Sequence, residues 1–404
     1  MSDVTQNKQL STEEAAWLML AFTAGIGSAA FLKLLQAFGS ASAACAATVQ
    51  ELSTVVQPKI ALAIHQQEAE AMVLAIEAWA AGEGCHLIFL SDADYPLALA
   101  ESAAPPPVLL GRGQRALLQG ALLAMVGSRS ASPQGLINAH EFAKELSLKG
   151  YTIVSGLASG IDAAAHEGAL LGQGSTIAVV GTGIDRIYPA SNKALALKIA
   201  ATGLVLSEFP LGTGPIAHHF PRRNRVIAGL SRACLVVEAS VESGSLITAR
   251  LAAESGREVF AIPGSIHNSQ ARGCHRLIKE GAKLVESVVD ILEELPPTLV
   301  LTQASALSHA IDAKHHPKPS KIVPRPIQTS SLLPFVAEQS PLPAPALDSP
   351  FFEVLQAMGD DIIDIDSLSR RLNDTVENVG VKLLEMELLG EVASAQNGRY
   401  QRLI

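Results

Sequence analysis

Leu122-Leu-Ala-Met-Val126-Gly127-Ser128-Arg129 decides the fold. Five apolar residues run straight into a Gly-Ser-Arg turn, and a helical pattern follows to about Lys149. A short apolar run with no alternation is a strand buried on both faces, and such strands belong to parallel sheets. The same unit recurs downstream. Tyr151 to Val154 leads into Ser155-Gly-Leu-Ala-Ser-Gly-Ile-Asp162 and a helix to Leu171. Thr176 to Val180 leads into GTGIDRIYP and a helix from about Asn192. Leu204 to Leu206, Ala233 to Val237 and Val259 to Ile262 are further strands, and Lys283 to Val285 is an edge strand. Strands alternating with helices predict an α/β fold with a Rossmann-like, doubly wound parallel sheet.

Four segments follow from this pattern. Residues 1–84 read as a small helical domain of the helix-hairpin-helix or SAM-like kind, with Ala24-Gly-Ile-Gly27 as its hairpin turn. Lys33 stands alone beside that turn, so the residues favour a packed hairpin over a phosphate grip. Residues 85–295 form the sheet domain, entered through a short strand at Leu87 to Leu90 and an extended piece from Pro105 to Leu110. Residues 296–347 are Pro-rich and read as a linker. Residues 348–404 read as three helices, with Asp366 capping the second, and a hairpin turning at Asn397-Gly398, which describes a winged helix.

Composition narrows the function classes. The 404 residues are 48% hydrophobic and 17% charged, with a net charge of −9. By segment the balance is −5, zero, +2 and −6, so the acidity lies at the two ends and the sheet domain is neutral. A neutral domain still carries a strong local field where its cations cluster. Cys45, Cys85, Cys234 and Cys274 are isolated, which argues against a zinc site or a disulfide framework. Reduced thiols and the lack of a secretory signal pattern point to the cytoplasm. Ala15 to Leu32 is uncharged over 18 residues, but Gly25 and Gly27 break it, so two short helices are expected and no membrane partner.

All the Gly/Ser/Arg turns follow strands and therefore collect along one sheet edge, where such folds bind ligands. His219 to Ser231, HFPRRNRVIAGLS, adds Arg222, Arg223 and Arg225 at the mouth of a helix. Guanidinium forks and helix N–H groups both suit phosphate. Ser243-Gly244-Ser245 with Thr248 one turn on repeats that logic, and Lys193 adds charge. A row of phosphate-type turns suits a polyanion, with Tyr188, Phe209 and Phe220 as candidates for stacking a base. Gly181-Thr182-Gly183 lacks the third glycine and the acidic partner of a dinucleotide site, and no GxxxxGK[ST] run occurs. No HExxH or GxSxG motif is present, His218-His219 lacks a third metal ligand, and Asp162 reads as a loop brace. The residues thus favour a non-enzymatic binder with no cofactor over a nucleotide-processing, phosphoribohydrolase-like enzyme.

Six runs in order, MVGSR, VSGLASGIDAAAHEGAL, AVVGTGIDRIYP, HFPRRNRVIAGLS, VVEASVESGSLITARLAAESGREVFAIPG and RGCHRLIKEGA, resemble the DNA-processing protein A (DprA/Smf) family. The resemblance implies a core that dimerises, binds single-stranded DNA and loads RecA onto it in natural transformation and recombination. It implies no catalytic turnover. Carried over by motif, Ser128, Arg129, Gly156, Asn224, Arg225, Ser243, Gly244, Ser245 and Thr248 would hold DNA, with Lys193 and Arg223 added on charge and position. The winged helix departs from a duplex-gripping module. It carries −6, and Lys382 is the one basic residue of its third helix, so it is expected to contact protein or to regulate.

Overall fold

The computed structural model describes residues 10–295, 351–358, 363–372, 374–388, 392–395 and 399–402. They belong to two compact units, residues 1–299 and 300–404. The Pro-rich segment and the Asn-Gly turn lie outside the described residues.

The first unit opens with helices α1 (Thr12–Phe22), α2 (Ser28–Phe38), α3 (Ala41–Ala46), α4 (Val49–Leu52), α5 (Pro58–His65) and α6 (Glu70–Ala80). Ser11 and Glu14 close a capping box at the start of α1. Gly25 adopts φ +89° between α1 and α2, so the uncharged stretch is two helices of 11 residues each. Among the described residues no helix is long and apolar enough to cross a membrane. The Trp17 ring lies 4.9 Å from that of Phe31 and 6.1 Å from that of Phe89. Phe89 belongs to the sheet, so the helices and the sheet share one apolar core.

The sheet is built from β1 (Cys85–Phe89), β2 (Val108–Gly113), β3 (Ala121–Val126), β4 (Tyr151–Ser155), β5 (Thr176–Val179), β6 (Leu204–Ser207), β7 (Ala233–Val236), β8 (Glu258–Ala261) and β9 (Lys283–Leu284). A four-residue helix, α7 (Leu97–Ala100), precedes β2. The crossovers carry α8 (Pro133–Leu148), α9 (Ile161–Ala169), α10 (Lys193–Thr202), α11 (His219–Leu230), α12 (Ser245–Glu254) and α13 (Arg272–Lys279), and α14 (Val288–Glu294) follows β9. Strand order is β1-β2-β6-β5-β4-β3-β7-β8-β9. Side chains alternate across the sheet. Leu122, Ala124 and Val126 enter one core layer, while Leu123 and Met125 enter the other, and all are buried. Helices cover both faces, which is why β3 reads as an unbroken apolar run.

The seven neighbouring strands β6-β5-β4-β3-β7-β8-β9 are parallel, as the alternation predicts. The other edge differs. β2 runs antiparallel to both β1 and β6. A parallel pairing of β1 with β2 would need a full crossover, and α7 spans only four residues. From β3 the chain steps outward through β4, β5 and β6, then returns by α11 to β7 on the opposite side of β3. Crossovers therefore diverge between β3 and β7, which opens a crevice beyond their carboxyl ends.

The second unit holds α15 (Phe352–Met358), β10 (Ile363–Asp364), α16 (Ile365–Leu372), α17 (Val376–Leu388), β11 (Val392–Ala395) and β12 (Arg399–Arg402). Its sheet order is β10-β12-β11, and Leu355, Leu368, Val379 and Leu383 fill its core. This is the winged helix. The cap of α16 is Asp364, not Asp366: its Oδ1 accepts the Ser367 N–H at 2.8 Å, because the helix starts two residues earlier than its polar pattern suggests.

Candidate nucleic-acid interface

A cleft of about 760 Å³ lies at the crevice between β3 and β7. Three turns build its floor. The first is Gly127-Ser128-Arg129 after β3. Ser128 N–H donates to the Glu238 carbonyl at 2.7 Å, and Ile161 N–H to the Ser128 carbonyl at 3.1 Å. The turn is thereby fixed to the exit of β7 and to the start of α9. Gly160, at φ +79°, lets this approach happen, since a Cβ there would lie 2.3 Å from the Ser128 carbonyl oxygen.

The second turn is residues 155–160. Asp162 Oδ2 accepts the N–H groups of Gly156 at 3.1 Å and Ala158 at 3.3 Å. His166, fully buried, accepts the Leu157 N–H on Nε2 at 3.3 Å. Its Nδ1 therefore carries the proton and donates to Thr176 Oγ1 at 2.7 Å, whose own hydrogen goes to the Ile153 carbonyl at 2.6 Å. Burial, helped by the Arg223 charge, drives His166 down to about 3, so it stays a neutral brace. Burial pushes the Asp162 carboxyl up, and the nearby Arg223 cation partly offsets this.

The third turn is Ser243-Gly244-Ser245 at the start of α12. The two hydroxyls share a hydrogen bond at 2.7 Å, and Ser243 Oγ accepts the Ser245 N–H at 3.3 Å. Gly244 caps the helix without a side chain, so the positive end of α12 faces the cleft. Asn224 Nδ2 donates to the Gly244 carbonyl at 3.3 Å and ties α11 to this turn.

The arginines divide into separate tasks. They sit inside the first two turns of α11, not ahead of it, because the helix already starts at His219. Arg223 is 4% exposed. Its Nη1 donates to the carbonyls of Gly156 and Val179, and its Nε to Asn224 Oδ1 at 3.1 Å. Burial lowers it to about 10, and it remains a cation at neutral pH. Gly156 does not line the cleft. A Cβ there would meet the Arg223 guanidinium at 2.5 Å, so its role is to admit that side chain. Arg225 is turned away from the cleft, pairing with the buried Glu208 carboxylate and the Ala104 carbonyl. Lys193 is exposed at the start of α10, outside the cleft, while its neighbour Asn192 holds the Leu157 carbonyl at 3.0 Å.

Arg129 is different. It is exposed, lines the cleft, makes no ion pair among the described residues, and lies 5.1 Å over the Phe220 ring. Tyr188, 43% exposed, packs its ring 5.7 Å from that of Phe220, and both line the cleft. Phe209, also expected as a stacking residue, is 2% exposed, with the His219 ring stacked on it at 4.3 Å. It is core and has no free face for a base.

The cleft thus gathers Ser128, Arg129, Asn224, Ser243, Gly244, Ser245 and Thr248, with one edge of Arg223. Gln270, on the loop before α13, also lines it. Sequence reasoning missed this residue because nothing around it marks a site; only the β7–β8 pairing brings it there. Glu238 at the back is occupied, accepting Ser132 N–H at 2.8 Å and Ser132 Oγ–H at 2.6 Å. Among the described residues no group of three or more His, Cys, Asp or Glu side chains could hold a metal ion. The arrangement offers hydroxyls, a helix N-terminus, the exposed Arg129 guanidinium and two aromatic rings, the chemistry that holds a phosphodiester and stacks a base.

Family models agree with this geometry. Residues 86–296 match the model of DNA recombination-mediator protein A. Residues 11–50 match a DprA-like N-terminal HHH domain, and residues 338–398 the DprA winged helix domain. The chain is 39% identical to protein Smf of Escherichia coli K12 over 80% of this chain and 79% of that protein. It is 50% identical to the DNA processing protein DprA of Streptococcus pneumoniae over 50% of this chain and 72% of that one. The X-ray structure of DprA from Streptococcus pneumoniae superposes with a TM-score of 0.63 at 38% identity, covering 72% of this chain and 99% of that one. With sheet order, cleft and all three family models in accord, the chain belongs to the DNA recombination-mediator protein A (DprA/Smf) family.

Proposed function

We propose that this protein is a single-stranded DNA-binding recombination mediator that protects incoming strands and loads RecA onto them, acting as a homodimer in the cytoplasm. The observation that carries the DNA reading is Arg129, an exposed guanidinium over an aromatic ring with no ion pair among the described residues, in a cleft floored by the Ser128 and Ser243–Ser245 turns. Arg129 and the start of α12 would take successive phosphates, and Tyr188 with Phe220 would stack a base. The reading needs no catalytic group. The carboxylates nearest the cleft are committed: Asp162 to two backbone N–H groups and Glu238 to Ser132. That commitment also speaks against a phosphoribohydrolase-like enzyme, which needs a carboxylate free to act on a nucleotide.

RecA loading rests on the family membership. ATP hydrolysis by RecA on a single-stranded circle, with this protein added, tests it. A shortened lag before steady hydrolysis supports loading. An unchanged lag, under conditions where the DNA is bound, contradicts it.

A further inference from the structure

Gln270 carries an unmade hydrogen bond at the edge of the cleft. Its backbone is fixed: Ala239 N–H donates to the Gln270 carbonyl at 2.7 Å, and Gln270 N–H donates to Asn268 Oδ1 at 2.9 Å. Its side chain is not. The amide oxygen Oε1 is buried without a hydrogen-bond partner among the described residues, while the residue lines the cleft. A buried carbonyl with no donor is a group whose bond has yet to be made. The cleft is the open space beside it, and a turn of the flexible side chain brings the amide there.

An amide presents an acceptor beside a donor. Every nucleobase carries the complement on its Watson–Crick edge. Adenine and cytosine place an amino group beside a ring nitrogen, and guanine and thymine place a ring N–H beside a carbonyl. In a duplex these edges are consumed by pairing. In a single strand they are open to side chains. An amide in a cleft that also offers two aromatic rings therefore reads a base as unpaired without reading which base it is.

We infer that Gln270 is a specificity-determining residue that grips the Watson–Crick edge of one stacked base and so favours single strands over duplex. This rests on the single-stranded DNA reading above. The fixed backbone suits the task, since it holds the residue at the cleft edge while the amide turns to meet the base. Asn224, Ser243 and Ser245 do not substitute for it, because Asn224 Nδ2 is engaged with Gly244 and Ser243 with Ser245.

The test uses the full chain and two labelled 30-residue oligonucleotides, one of thymidine and one of N3-methylthymidine, read by fluorescence anisotropy. Methylation removes the N3–H donor that Oε1 would accept and leaves the phosphates intact. The parent protein should bind the methylated strand about two- to tenfold more weakly, the worth of one net hydrogen bond. Gln270→Leu, close in size and without an amide, should bind both strands alike, at about the parent's affinity for the methylated one. Equal binding of both strands by the parent, or an undiminished preference in Gln270→Leu, would overturn the inference. If the parent binds neither strand, the DNA reading itself falls, and this inference with it.

Discussion

Arg223 and Arg129 stand 94 residues apart in sequence and face one cleft, yet the structure gives them opposite duties. Consider Arg223→Leu. The change removes the donor that satisfies the carbonyls of Gly156 and Val179 and strips Asp162 of the cation beside it. Leaving one member of a buried charged cluster unpaired costs about 3–5 kcal/mol. Asp162 can soften this by taking a proton, since burial already pushes its carboxyl up, so the lower end is expected, about 3 kcal/mol. At roughly 2–4 °C per kcal/mol for a domain of this size, the melting midpoint should fall by about 6–12 °C. Arg129→Ala removes an exposed side chain with no ion pair and should stay within about 0.5 kcal/mol of the parent. Scanning calorimetry of both variants separates the two duties. A parent-like melt for Arg223→Leu, or a large loss for Arg129→Ala, would refute the division.

Other expectations follow from the same geometry. Arg225→Ala should lower the melting midpoint by breaking the pair with Glu208, while leaving the salt dependence of oligonucleotide binding at the parent's slope; a lowered slope would put Arg225 on phosphate after all. Phe220→Ala should weaken binding by about 1–3 kcal/mol through lost base stacking, measured by titration with an oligonucleotide at fixed salt, and parent-like affinity would remove the ring from the site. The pH dependence has a definite sign. His166 is held neutral in the fold at about 3 against an ordinary value of 6.5, so the unfolded chain binds the extra proton between those limits. Stability is then unaffected above pH 6.5 and is lost as pH falls below it, by about 2 kcal/mol at pH 5. Asp162, raised by burial, works the other way, because its cost is relieved as acid protonates it. Urea unfolding of the parent and of His166→Gln at pH 7 and pH 5 checks this: the variant should lose the pH 5 penalty.

Much of the fold was legible because buried parallel strands cannot hide: β3, β4, β5 and β6 each appear as apolar runs ending at Gly or Ser, and β7 and β8 as apolar runs ending at Glu238 and Pro263. The antiparallel β2 was not, since an extended Pro-led segment carries no mark of direction. At the site, the turns at Ser128 and Ser243–Ser245 were readable from residue type and from the rule that ligands gather at strand ends. The arginines were not separable by sequence. Arg222, Arg223 and Arg225 look alike in a string, and only helical periodicity within α11, which starts earlier than the cluster suggests, turns Arg223 inward and Arg225 toward Glu208. Phe209 failed for the same reason, because burial depends on the His219 ring laid over it. Gln270 was invisible, since an unmade hydrogen bond exists only once the chain is folded.

The most direct test of the central claim is fluorescence anisotropy of a labelled single-stranded oligonucleotide across a salt series, with unlabelled duplex as competitor and Arg129→Ala alongside. The account predicts salt-sensitive binding that duplex competes for poorly, and a slope of log affinity against log salt that is shallower in the variant by about 0.7, one phosphate contact on a single strand. Binding that ignores salt, yields to duplex, or keeps its full slope without Arg129 would contradict it.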